Sequence, residues 1–210
     1  ISIYHNTIKI YLGVISMFVE RIKEIQATMD ADVSIIDTTP SSMLIDNYFT
    51  LPDTQYLLDT APKLTESISL PSGEIYLLSP YKDDVITTFS KHIAFMLNYP
   101  VTHLSYIEMY KISKGQQLIL DTHDIERIQE SPVANSPWGK IASQACITMT
   151  EGGIFNANGL LFSTPYRLFA IEKVDQNTKE QYNSVLGYKA VDQDVWMINF
   201  KFAENPRELI

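Results

Sequence analysis

The side chains best suited to metal or proton chemistry in this 210-residue chain are four histidines, one cysteine and 25 acids. His5, His92, His103 and His123 form no metal-spaced cluster, and no His-x-x-x-His pair falls on a helix. Asp121-Thr122-His123-Asp124 has the look of a fragment of a metal site, but no second histidine is near it. A solvated turn is the plainer expectation there. The paired acids Asp83-Asp84 and Asp192 with Asp194 fall at an expected helix start and on strand faces, where solvation accounts for them. Gly-x-Ser-x-Gly, phosphate-loop and dinucleotide patterns are absent, and Glu151-Gly152-Gly153 reads as a turn. Cys146 is alone, so it makes no internal disulfide, and Ala145-Cys146-Ile147 describes a buried, inert thiol. The residue types therefore imply no catalytic set, no metal site and no cofactor.

Composition describes a folded domain with a sizeable core, since 45% of the residues are apolar. A net charge of −9 with only four arginines (Arg21, Arg127, Arg167, Arg207) leaves no basic stripe, so no nucleic-acid partner is expected. The same acidity disfavours docking on an anionic membrane surface. No stretch approaches the roughly 20 apolar residues that span a bilayer, and no signal-peptide h-region opens the chain.

Several elements must position whatever site exists. Ile8, Leu12, Ile15, Val19, Ile22 and Ile25 recur at helical spacing, so residues 1–29 predict one long amphipathic helix. Prolines at 40, 52, 62, 71 and 80 break the next stretch, with short helices predicted over Ser41–Phe49 and Asp53–Leu58 and a strand over Glu74–Leu78. Asp83 to Tyr99 predicts a helix with Val85, Phe89, His92, Ile93 and Met96 facing inward. Two β-rich runs around Ser113-Lys114-Gly115-Gln116 predict a hairpin between residues 101 and 121. Strand-like runs follow to Phe202. Helices first and strands after is an α+β pattern.

The long first helix, the hairpin Leu104–Leu120, Leu161-Phe162-Ser163-Thr164-Pro165-Tyr166-Arg167, and Ser184 to Asp192 with its Leu186-Gly187 step resemble the PAS-like Cache domains. These are periplasmic sensing modules of bacterial histidine kinases, diguanylate cyclases and chemoreceptors. The resemblance covers roughly the second half of the chain. It implies an α+β fold with the long N-terminal helix packed on an antiparallel PAS-like sheet, and room for a second small lobe. The layout would be a stalk helix over 1–30, a helical and irregular segment over 31–100, the sheet over 101–202, and an exit toward a membrane segment over 203–210.

The same resemblance implies a ligand pocket lined by Tyr106, Glu108, Tyr110, Trp138, Ser163, Tyr166, Arg167, Tyr188 and Asp192. Arg167 is the sharpest candidate, because a guanidinium fork suits a carboxylate or phosphate. A structural ion pair is the competing role for it. The function so implied is non-catalytic signal transduction by the periplasmic domain of an inner-membrane receptor. Its partners would be a small molecule or a periplasmic protein, with membrane anchors outside the chain and a homodimer contact along the first helix. Two alternatives stay open: a soluble α+β enzyme with an anionic-substrate cleft around Arg167 and Asp192, or a module that binds protein only.

Overall fold

The computed structural model describes residues 33–38, 41–120, 141–157, 159–173 and 186–206, with residues 33–38, Ser41 and Tyr106 described by their backbone alone. Among the described residues, twelve strands make two sheets. They are β1 (Val33–Thr38), β2 (Ser41–Ile45), β3 (Ser67–Leu70), β4 (Gly73–Leu78), β5 (Leu104–Ile112), β6 (Gln117–Leu120), β7 (Ile141–Thr148), β8 (Gly153–Ala157), β9 (Leu160–Phe162), β10 (Leu168–Glu172), β11 (Leu186–Ala190) and β12 (Val195–Ala203). The large sheet runs β1-β2-β10-β7-β12-β5-β4-β3 and the small one β6-β11-β8-β9, with antiparallel pairing throughout. Helices α1 (Leu51–Leu64) and α2 (Asp84–Met96) complete the described elements, with a 3-10 turn at Val101–His103.

The layers follow from the strand period of two. On β5, β7 and β12 one set of alternate residues (Ile107, Met109, Ala145, Ile147, Ile198, Phe200 and Phe202) packs with Leu57, Ala61, Ile86 and Ile93 of the helices. The other set faces the small sheet, where Tyr110, Cys146 and Met197 pack with Leu120, Phe155, Leu186 and Tyr188. The central strands of the large sheet are thus buried on both faces, and the space between the sheets is a jelly-roll-like barrel. At one end Gly73 has φ +147, and a Cβ there would lie 2.0 Å from the Lys111 carbonyl oxygen, so only glycine lets β4 approach β5 so closely.

Both helices start on strong caps. Thr50 and Asp53 form a reciprocal capping box on α1, and the Asp83 carboxylate accepts from the Val85 and Ile86 amides of α2.

The expected PAS-like architecture is not found: the fold is mostly antiparallel sheet. The helix expected over 1–29 lies outside the described residues. Ser41–Phe49 begins as strand β2, because Met43, Leu44 and Ile45 form a strand covered on both faces, and such a strand loses its alternation. Helix α2 forms where expected, but its buried side is Ile86, Ser90, Ile93, Ala94 and Met96, while His92 is exposed. The expected hairpin is a crossing between sheets. After the Gly115 turn β6 pairs with β11, and β5 pairs with β4 and β12. With the PAS-like sheet gone, the periplasmic membrane-receptor localisation loses its support. No helix among the described residues is long and apolar enough to cross a membrane.

Candidate functional site inside the barrel

Polar side chains are unusual on a strand buried on both sides, yet the barrel face of the large sheet carries a run of them. Glu108 on β5 lies opposite Asn199 on β12, which lies opposite Cys146 on β7; one step along, Lys201 lies opposite Gln144. Lys201 Nζ donates to the Glu108 carboxylate at 2.8–2.9 Å. The same carboxylate accepts from Asn199 Nδ2 at 2.9 Å and from the Tyr110 hydroxyl at 2.8 Å. Gln144 Nε2 and the Cys146 thiol both donate to Asn199 Oδ1, at 2.9 and 3.3 Å. Glu108 is 4% exposed and Lys201 6%.

Electrostatics define the character of this wall. Burial pushes the Cys146 thiol up to about 12, against the pull of the Lys173 and Lys201 ammonium groups, so it is a neutral donor rather than a thiolate. A buried ion pair is weak evidence for stability, since well-packed apolar residues generally do as well.

The opposite wall differs. The inward residues of β6, β8 and β11 are Leu120, Phe155, Ala157, Leu186, Tyr188 and Ala190, all buried. The Tyr188 hydroxyl donates to the Thr150 carbonyl, and burial raises its pKa. A Cβ on Gly153 would lie 2.5 Å from the Tyr188 ring, so that glycine gives the ring its seat. Val195, opposite Ile112, packs with Ala190 in the same core, and the polar positions Asn199 and Lys201 follow toward the other end of β12.

The residues expected to share one pocket are dispersed. Glu108 and Tyr110 touch each other, and Tyr188 faces the same barrel from the small sheet. Arg167 makes an ion pair with Asp46 and lies over the Phe162 ring at 5.2 Å. Tyr166 has φ 60 and packs toward the helices, while its carbonyl accepts from the Tyr48 and Phe49 amides. Ser163 is exposed beyond β9, and Asp192 is exposed in the β11–β12 turn. Trp138 lies outside the described residues, as does the side chain of Tyr106. Lys201, Asn199 and Gln144 went unrecognised in the sequence. The signal for the first two was a Lys and an Asn two residues apart within the otherwise apolar run from Val195 to Ala203.

No family model and no curated protein matches the sequence. Solved structures do match. Over 76% of this chain and 94% of its own, the viral collagen prolyl hydroxylase of Paramecium Bursaria Chlorella virus-1, solved as a complex with 2OG (2-oxoglutarate), superposes with a TM-score of 0.55 at 14% identity. A Pseudomonas putida prolyl-4-hydroxylase matches 92% of this chain and 100% of its own, with a TM-score of 0.54 at 8% identity. A Burkholderia pseudomallei oxidoreductase of the 2OG-Fe(II) oxygenase family matches 94% and 95%, with a TM-score of 0.50 at 6% identity. The fold is the jelly-roll-like barrel of these structures. This overturns the resemblance to Cache sensors and, with it, the signal-transduction reading of a non-enzymatic domain.

That likeness in fold raises the question of iron. Non-haem Fe(II) oxygenases use two histidines and a carboxylate. Among the described residues, no three His, Cys, Asp or Glu side chains come together. His92 and His103 belong to the helical side of the large sheet, the latter with Nδ1 3.0 Å from the Ala203 carbonyl oxygen. Strand β11, beside β6, offers only Leu186, Gly187, Tyr188, Lys189 and Ala190. Asp121, His123 and Asp124 follow β6 in sequence and lie outside the described residues. The described residues do not fit a two-histidine iron centre.

Proposed function

We propose that the chain is an enzyme that works inside the oxygenase barrel, at its polar end, on a small anionic molecule. Oxidation of the oxygenase kind is the reaction class that the fold favours. The observation that carries the reading is the buried Lys201–Glu108–Asn199–Gln144 network facing the space between the sheets. A fixed ammonium and oriented amides inside an apolar enclosure are the few polar groups a small-molecule site needs. Glu108 aims the Lys201 ammonium, and Tyr110 and Asn199 hold Glu108. Leu186, Phe155 and Tyr188 supply the apolar wall that excludes water and strengthens those interactions.

The test follows consumption of a panel of small carboxylates, 2-oxoglutarate among them, in solutions of the full chain with and without ferrous iron. Consumption is expected from the wild type and not from Glu108→Gln/Lys201→Met, which keeps the volume and removes both charges. No consumption by the wild type across the panel contradicts the reading.

A further inference from the structure

We infer that the outer face of the small sheet is a docking surface for the first 29 residues of this same chain. That face lies on the side of β6, β8, β9 and β11 away from the barrel, so the inference is independent of the reaction proposed above.

The strand period of two assigns the outward side chains. Leu118, Phe155, Phe162 and Tyr188 pack inward, which turns their neighbours out. Ile119, Gly187, Asn156 and Leu161 lie opposite one another in one row across the four strands. Gln117, Lys189 and Ile154 make the next row. Ile154 is 39% exposed, Ile119 51% and Leu161 67%, whereas the outer face of the large sheet is covered by α1 and α2. Single exposed apolar residues are ordinary, but three on one sheet face make a patch that marks an interaction surface.

Gly187 stands in the middle of this face, and the sheet itself gives no reason for a glycine there. Its φ lies outside the left-handed region. A Cβ would meet only Gln117 Nε2 at 3.4 Å and the Leu118 carbonyl oxygen at 3.5 Å, both ordinary contacts. A glycine inside a strand weakens it and often marks the close approach of another body. At about 4.8 Å per strand, Ile119 and Leu161 stand roughly 15 Å apart, with bare Gly187 and half-buried Asn156 between them. A helix with its side chains is about 10–12 Å across and fits between those two rims.

The sequence names the occupant. Ile8, Leu12, Ile15, Val19, Ile22 and Ile25 recur at helical spacing, and residues 10–19 are apolar or aromatic apart from Gly13 and Ser16. Such a stripe has to be covered. The other stretches outside the described residues suit the patch poorly. Residues 174–185 are polar but for Val174, Tyr182 and Val185, and residues 121–140 are broken by Pro132 and Pro137. The route is also short. Val33 pairs with Ile45 and Ile45 with Leu168, while the neighbouring Arg167 lies over the Phe162 ring at the end of β9. The chain before Val33 therefore enters on the side of the molecule where Leu161 lies, and residues 26–32, extended, reach about 24 Å.

Cross-linking mass spectrometry on the 210-residue chain tests this, with a short amine-reactive linker and a mixture of isotope-labelled and unlabelled protein. Lys189 is exposed on the outer face, and Lys9 and Lys23 belong to the first segment. The expected result is a Lys189–Lys9 or Lys189–Lys23 link within one molecule, lost in Ile119→Asp/Leu161→Asp. Gly187→Val is expected to lower Tm, because the added side chain meets the docked segment; on an open strand face valine would raise it. Should the double variant fail to fold, the wild-type links and the Gly187→Val shift decide the matter. Links found only between labelled and unlabelled chains overturn the inference in favour of a second copy. A Lys189 that reaches neither lysine, links that survive the double substitution, or a raised Tm in Gly187→Val each overturn it as well.

Discussion

The two faces of the large sheet are built from the same strands and share almost no chemistry. On β12, Ile198, Phe200 and Phe202 pack toward α1 and α2, while Asn199 and Lys201 between them face the barrel. On β5, Ile107 and Met109 face the helices, while Glu108 and Tyr110 face the barrel. Both faces are buried, so solvent does not explain the difference. The helical face does what a core requires: it removes apolar area from water. The barrel face buries a charge pair and two amides, which cost desolvation and return little net stability. Stability and recognition are separated by a half-period of the strand.

Substitutions on each face break or sharpen that division. The largest expected effect is Phe200→Ala on the helical face, at about 3–5 kcal/mol from lost burial and the cavity left behind. Denaturant unfolding measures it, and 2-oxoglutarate binding by the molecules that remain folded is expected to be unchanged. Glu108→Ala on the barrel face is expected to cost a comparable ~3–5 kcal/mol, because it strands the Lys201 charge. The faces then part: Glu108→Gln/Lys201→Met is expected to recover most of that stability while failing to bind. If the double variant is as unstable as Glu108→Ala, the pair is structural and the division fails.

Smaller effects lie away from both faces. Asp83→Ala removes the α2 cap and is expected to cost about 1 kcal/mol at neutral pH. Partial desolvation raises the Asp83 pKa, but hydrogen bonds from Ile86, Tyr56 and Val85 outweigh it and hold the folded value below the usual 3.8. A lowered folded pKa adds stability above the unfolded value and loses it as pH falls through the folded one. The gap between wild type and Asp83→Ala should therefore narrow as pH drops below about 4. Arg167→Ala is expected to cost no more than about 1 kcal/mol, because its partner Asp46 is partly exposed. It should leave 2-oxoglutarate binding intact, and a lost thermal shift in that variant would return Arg167 to the site.

The sequence carried the local elements far better than the topology. Asp83 before an amphipathic run, and Pro100 after it, mark α2 by capping and breaking chemistry alone. Of the residues expected inward on α2, Ile93 and Met96 are buried and Phe89 packs half-buried on the same core, whereas Val85 is only half-buried and His92 is exposed, because the packed stripe is centred on Ile86, Ser90 and Ile93. Gly115 marks a turn, but a turn does not state whether β6 pairs with β5 or crosses to another sheet. Only the distant partner β11 decides that, and no local signal contains it. Met43-Leu44-Ile45 went unseen as a strand because burial on both faces erases alternation. Of the barrel wall, Glu108 and Tyr110 were named through a resemblance that the fold overturns. Lys201, Asn199 and Gln144 were readable only as inward positions that break an apolar run, and inward has no meaning until the sheets are paired.

Titration calorimetry of 2-oxoglutarate into the full chain, wild type against Glu108→Gln/Lys201→Met, tests the central claim most directly. Saturable binding by the wild type, with loss of more than about tenfold in affinity on neutralising the pair, is the predicted result. Equal binding by the two proteins, or binding by neither, would contradict the assignment of the polar barrel wall as the recognition site.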